Sequence, residues 1–249
     1  MSALRARCPS CRTLTAVAIG PDYQCHSCGR EFGAGLMRVP RAWGSGGEVM
    51  AEAARLELPW PETAVIAEET LDNQIAAIAR ELPTRPLVLG GCCCAHVGAV
   101  RELARRHGRI GIVWIDAHGD LNTPETSPSG NPWGMALRML IDAGDVASRD
   151  VTLLGARNLD PPERAFVEEA GIATELGELP ERIYVTLDAD VADPGELDVW
   201  MPEPDGIPLD ALEVLLASLP TPLGAGFSGL RPSARNAEAL TRFGHALGM

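Results

Sequence analysis

Short apolar runs alternate along this chain with longer stretches of helical periodicity. The runs at 65–67, 87–89, 110–115, 151–154, 183–187 and 223–227 predict strands, and the stretches at 70–82, 95–107, 133–143, 162–170, 209–219 and 236–247 predict helices. Ile110-Gly111-Ile112-Val113-Trp114-Ile115 and Ile183-Tyr184-Val185-Thr186-Leu187 carry almost no polar side chain. Such runs belong to strands buried on both faces, as in parallel sheets. Strand and helix in turn therefore predict an α/β fold of three layers, α-β-α, around a mainly parallel sheet.

The pattern is different at the N-terminus. Cys8-Pro9-Ser10-Cys11 and Cys25-His26-Ser27-Cys28 form two CxxC knuckles around a short hairpin-like segment. A segment this small has no core of its own, and four thiolates at this spacing suit a tetrahedral zinc ion. Residues 1–35 are thus expected to be a zinc ribbon with Cys8, Cys11, Cys25 and Cys28 as ligands. Two disulfides would be the alternative in a secreted chain, but no secretory leader is recognisable. The Pro- and Gly-rich stretch 38–47 and a short helix at 48–58, stopped by Pro59 and Pro61, suggest a linker over 36–62. The main domain is then expected over 63–249.

Two acidic clusters follow the two most apolar strands: Asp116-Ala117-His118-Gly119-Asp120 and Asp188-Ala189-Asp190. Side chains at i, i+2 and i+4 of an extended chain share a face. Asp116, His118 and Asp120 would then converge beside Asp188 and Asp190, at the strand ends where open α/β sheets bind ligands. Carboxylates packed this closely repel one another unless a cation lies among them. The expected occupant is a hard divalent metal.

These residues resemble a known family. The stretch from Asp116 through Asn122 to Asn131 is similar to the central signature of the arginase/agmatinase/formimidoylglutamase (ureohydrolase) family. Leu187-Asp188-Ala189-Asp190-Val191-Ala192-Asp193-Pro194 resembles its second signature, and Leu89-Gly90-Gly91 the start of the remaining one. The resemblance runs from about Val65 to the C-terminus. It implies an arginase-like fold, two manganese ions and a metal-bound hydroxide that attacks a linear amidine or guanidino carbon. It also implies that Asp116 and Asp188 bridge the ions, that Asp120 binds the first, and that His118 and Asp190 bind the second. Asn122, Ser129 and Asn131 would hold a substrate carboxylate, Asp160 an ammonium, and Glu163 would support Asp160.

Four positions depart from the family pattern. Cys93 stands where a histidine ligand of the first metal is usual, so zinc or another softer ion is a candidate on that side. Cys93 and His96, one helical turn further on, are both candidate ligands. Trp133 replaces a proton-shuttling histidine, and an indole only donates. Gly229 replaces a glutamate that pairs with the guanidinium, and Asn158 replaces an acid. Plain L-arginine is therefore not the expected substrate, although an amino-acid-like molecule is. Arg231 is a candidate contact for an anionic group.

Composition narrows the alternatives. A net charge of −13 argues against nucleic acid or an anionic membrane as partner, and no run is long enough to span a bilayer. A cytoplasmic address and, by resemblance, a homo-oligomer (trimer or hexamer) are expected. The leading expectation is a metal-dependent hydrolase of non-peptide C–N bonds. The rival is a non-catalytic metal-binding scaffold or regulatory subunit on the same fold, with the ribbon engaging a partner.

Overall fold

A computed structural model describes residues 5, 6, 8, 10–19 and 22–249. Pro9, within the first knuckle, lies outside them.

Four short strands, β1 (Arg5–Ala6), β2 (Ala16–Ile19), β3 (Asp22–Cys25) and β4 (Glu31–Phe32), form an antiparallel sheet in that order. Its core is Ala6, Cys8, Ala16, Tyr23 and Cys25, with Phe32 stacked on Tyr23 at 5.6 Å between ring centroids. So small a core needs a staple. The sulfurs supply the place for one: Cys8 Sγ is 3.5 Å from Cys28 Sγ, and Cys11 Sγ is 3.5 Å from Cys25 Sγ. Sulfurs around a tetrahedral zinc lie ~3.8 Å apart, whereas a disulfide needs ~2 Å. The cluster is consistent with a zinc ribbon.

The second sheet has seven parallel strands. In chain order they are β5 (Gly35–Val39), β6 (Glu62–Val65), β7 (Pro86–Gly90), β8 (Gly111–Ile115), β9 (Val151–Leu154), β10 (Ile183–Asp188) and β11 (Gly224–Ser228). They lie side by side as β6-β5-β7-β11-β10-β8-β9. Alternation sorts their side chains into two cores. In β8, Val113 and Ile115 join the cluster that contains α6 (Leu209–Ser218) and α7 (Ala234–Ala246). Ile112 and Trp114 face the opposite cluster, with α2 (Leu71–Glu81), α3 (Ala95–His107), α4 (Ala136–Asp142) and α5 (Pro161–Ala170). The expected three-layer α-β-α architecture is the one observed.

The stretch expected to be a linker differs. β5 begins at Gly35, the last residue expected in the ribbon, runs into the expected linker and pairs with β6 and β7 on its two sides, so the sheet starts at 35 rather than at 63. Arg38 and the following Pro40 disguise the strand in the sequence. The Arg38 guanidinium makes three hydrogen bonds: it donates to Glu62 Oε2 at 2.7 Å and to the carbonyls of Ala54 and Leu56. The helix expected over 48–58 is α1 (Gly47–Met50) followed by a 3₁₀ turn, Ala51–Arg55. The helix expected from 133 begins as another 3₁₀ turn, Pro132–Met135, interrupted at Gly134, before α4.

Candidate metal centre

The carboxyl ends of four neighbouring strands, β7, β11, β10 and β8, lie side by side, and those of β7, β10 and β8 lead into the lining of one cavity. β7 ends at Gly90 and leads through Cys92, Cys93 and Cys94 into α3. β11 ends at Ser228, β10 at Asp188, and β8 leads directly into Asp116. The cavity has a volume of about 170 Å³, the scale of one small molecule. Six carboxylates line it: Asp116, Asp120, Asp160, Glu163, Asp188 and Asp190. His118 is the one side chain among the lining residues able to carry positive charge.

The convergence arises differently from simple strand alternation. β8 stops at Ile115, and residues 116–120 form a turn in which Asp120 adopts a left-handed φ of 52°. Backbone amides pin the turn: His118 N donates to Asp116 Oδ1 at 2.8 Å, and Ala117 N donates to Asp190 Oδ1 at 3.2 Å. Asp190 sits in a 3₁₀ turn, Ala189–Val191, whose amide donates back to Asp188 Oδ1 at 3.2 Å. Short acidic residues accept such local backbone hydrogen bonds readily.

Two ligand-like groups result, and they share Asp116. Cys93, Asp116 and Asp120 bring donor atoms within 4.8 Å of one another, as do Asp116, His118 and Asp190. Asp188 stands close by, its Oδ2 3.1 Å from Cys93 Sγ. His118 Nδ1 is 3.0 Å from Asp190 Oδ2 and 3.5 Å from Asp116 Oδ1.

Charge is costly here. Burial, reinforced by Asp190, pushes Asp188 up to about 6, and burial reinforced by Asp116 does the same to Asp190. Burial and Asp116 hold Asp120 well above the usual carboxylate range. Burial opposes the charge on His118, but its contacts with Asp116 and Asp190 prevail and raise it to about 12. Asp120 Oδ2 is buried and has no hydrogen-bond partner among the described residues. Buried polar atoms rarely stay unpaired unless an ion or water belongs with them. This oxygen and the mixed carboxylate, imidazole and thiol donors fit divalent cations.

The remaining sequence candidates divide. Cys93 is 6% exposed and its Sγ lies 3.6 Å from Asp116 Oδ2. His96 is fully buried behind the cluster, with Nε2 3.4 Å from Ser228 Oγ and Nδ1 3.3 Å from the Tyr184 hydroxyl. It belongs to neither ligand-like group. Burial lowers its pKa to about 3, so the ring is neutral. Since Ser228 Oγ donates to Asp188 Oδ2 at 2.9 Å, His96 Nε2–H donates to Ser228 and Tyr184 O–H donates to Nδ1. A directional chain of hydrogen bonds thus ends on Asp188. Sequence reasoning missed Tyr184 and Ser228, which carry no motif.

Asn122, Ser129, Asp160 and Glu163 all line the cavity. Asn122 Nδ2 donates to Asp160 Oδ2 at 2.8 Å. Glu163 is occupied in structure: it accepts from the amides of Leu121 and Asp160, both at 2.9 Å, the second closing the capping box of α5. Asn131 does not line the cavity; its Oδ1 accepts from Ser45 N at 2.9 Å and anchors the preceding loop. Arg231 does not line it either, and its guanidinium stacks on Trp200 at 4.4 Å. Trp133, Met50 and Met201 form the apolar part of the wall.

A family model described as the arginase family matches residues 49–233, most of the chain. The chain belongs to the arginase family. Arginase of Staphylococcus aureus (strain COL) is 41% identical over 99 residues, 36% of this chain and 33% of that protein. The chain thus aligns with only about a third of that relative's length. In three dimensions the likeness is broader. Arginase from Bacillus subtilis superposes with a TM-score of 0.75 at 21% identity, over 86% of this chain and 97% of that one. Formimidoylglutamase from Bacillus subtilis superposes with a TM-score of 0.65 at 17% identity, over 86% of each chain. At such identities the superpositions speak for an arginase fold alone.

Proposed function

We propose that this arginase-family chain is a divalent-metal-dependent hydrolase of a linear amidine, guanidino or related C–N bond in an amino-acid-like substrate. The observation that carries the reading is the buried carboxylate cluster, with Asp120 Oδ2 unpartnered among the described residues, opening on a cavity of small-molecule size. Asp116, Asp188, Asp120, His118 and Asp190, with Cys93 a further candidate, would hold two divalent ions, manganese being the family's usual metal. Two such ions would supply Lewis-acid chemistry, lowering the pKa of a coordinated water toward neutrality.

The chain's own residues orient the substrate. Asp160 is fixed by the amide of Asn122 and by the capping box, so its carboxylate is set to meet an ammonium group. Ser129 and the neighbouring Ser127 offer hydroxyls to a substrate carboxylate. Trp133, Met50 and Met201 supply the apolar part of the wall against which the substrate would rest. Position 229 supplies no carboxylate for a guanidinium, which favours amidino or ureido groups over plain arginine. We read the N-terminal cysteines as a structural zinc ribbon on this body, and the assembly as a homo-oligomer acting on a small molecule.

Gly229 and Trp133 also favour the second reading, a metal-binding scaffold without turnover. Metal-loaded protein should hydrolyse at least one member of a panel of guanidino, formimino and ureido amino acids, and Asp188→Ala should lose both the turnover and bound metal. Metal binding with no turnover across the panel favours the scaffold.

A further inference from the structure

The two halves of the centre offer different donor atoms. On one side Asp116, His118 and Asp190 present oxygen and imidazole nitrogen. On the other, Asp116 and Asp120 are joined by the Cys93 sulfur. Cys93 lies at the turn from β7 into α3, and its single S–H faces Asp188 Oδ2 at 3.1 Å, Asp116 Oδ2 at 3.6 Å and Ser228 Oγ at 3.3 Å. One proton cannot serve three acceptors. Asp120 Oδ2, in the same group, is buried and has no hydrogen-bond partner among the described residues. His96, the other candidate donor on this side, is committed to Ser228 and Tyr184.

We propose that the two ions are unlike: Cys93 binds as a thiolate and makes its side of the centre selective for zinc or another thiophilic divalent ion. The His118 side, with oxygen and nitrogen donors only, takes manganese or a comparable hard ion. This rests on the reading that the centre binds two metals. When the ion binds, the sulfur–hydrogen bond is replaced by a sulfur–metal bond and the proton leaves to solvent. No electron is transferred, and the ligating sulfur is retired as a redox nucleophile.

Cobalt(II) tests this on the full chain, because a thiolate ligand gives it a charge-transfer absorption in the near ultraviolet. The ribbon thiolates contribute equally to the wild type and to Cys93→Ser, so the difference spectrum isolates Cys93. Cobalt bound at the centre should show charge-transfer absorption in the wild type and none in Cys93→Ser. Preference for zinc over manganese should fall about 10- to 100-fold in the variant, measured by elemental analysis after equilibration with both ions. Cys93→Ala serves equally should the serine variant fold poorly. Cobalt at the centre with an unchanged spectrum in both variants overturns this inference alone. Absence of any cobalt beyond the ribbon overturns it together with the two-metal reading.

Discussion

Glu203 stands on the side of His118 that faces away from the carboxylate cluster: His118 Nε2 lies 3.3 Å from Glu203 Oε1, while Nδ1 lies 3.0 Å from Asp190 Oδ2. A histidine ligand is oriented by the partner of its other nitrogen, which also fixes the tautomer. Glu203 carries no motif, and its place beside His118 emerges only in the fold. Glu203→Ala is expected to weaken metal binding at the His118 side about 10- to 100-fold, measured by calorimetric titration of metal-free protein. Unchanged affinity would mean that the Asp190 and Asp116 contacts orient the ring unaided.

Gly229 constrains Asp188. Its φ is 77°, and a Cβ there would lie 1.9 Å from Asp188 Oδ1. Any side chain at 229 must therefore strain the backbone and displace the carboxylate, the first at a cost of about 1–2 kcal/mol. Gly229→Ala should lose metal affinity, and Gly229→Glu should fail to create an arginase because the new side chain displaces a ligand. Elemental analysis of both variants checks this. Full metal content in Gly229→Ala would show that Asp188 has room to move without consequence.

Gly226 makes room for His96 in the same way. A Cβ at 226 would fall 2.3 Å from the His96 ring and 2.7 Å from the Tyr184 hydroxyl. Neither is a flexible chain end, since His96 packs edge-on to Trp114 and both rings are fully buried. Gly226→Ala should destabilise the fold by about 1–3 kcal/mol, the usual cost of overpacking. Denaturant melts measure it, and a stability within error of the wild type would contradict the packing described.

The pH dependence of the metal-free protein has a definite sign. Asp188 and Asp190 have folded pKa values pushed up to about 6 from an ordinary 3.8. A carboxyl raised on folding contributes fully below its unfolded pKa, and the contribution is lost as pH rises through the folded one. His118, raised to about 12 from 6.5, acts in the same sense, with its contribution declining above 6.5. His96, lowered by burial from 6.5 to about 3, acts in the opposite sense below pH 6.5, one group against these three. Glu102, lowered to about 2 chiefly by Arg105, matters only at more acid pH. Metal-free protein should therefore melt higher at about pH 5.5 than at about pH 8, and added metal should stabilise it more at the higher pH. Tryptophan fluorescence reads this from the main body, because Trp43, Trp60, Trp114, Trp133 and Trp200 all lie outside the ribbon. Equal melting of the metal-free protein at both pH values would contradict the charge balance described.

Much of this was legible in the sequence because uniformly apolar runs and acidic clusters are strong local signals. The central strands, the three layers and the meeting of Asp116, His118, Asp120, Asp188 and Asp190 could all be read from it. β5 was not, since a charged Arg38 inside a strand breaks the pattern, and only the fold supplies Glu62 and the carbonyls that neutralise it. By helical spacing His96 is one of two candidate ligands on the first-metal side. Its partners, Tyr184 and Ser228, sit 88 and 132 residues away in sequence. Asn131 carries the family motif, yet its side chain holds the loop at Ser45 instead of lining the cavity.

Elemental analysis of the metals bound per chain, on protein produced with zinc and manganese both available, tests the central claim most directly. About three ions per chain are expected, two at the carboxylate centre and one in the ribbon. A single zinc, retained when Asp188 is replaced by alanine and lost when Cys25 is replaced by serine, would contradict the account.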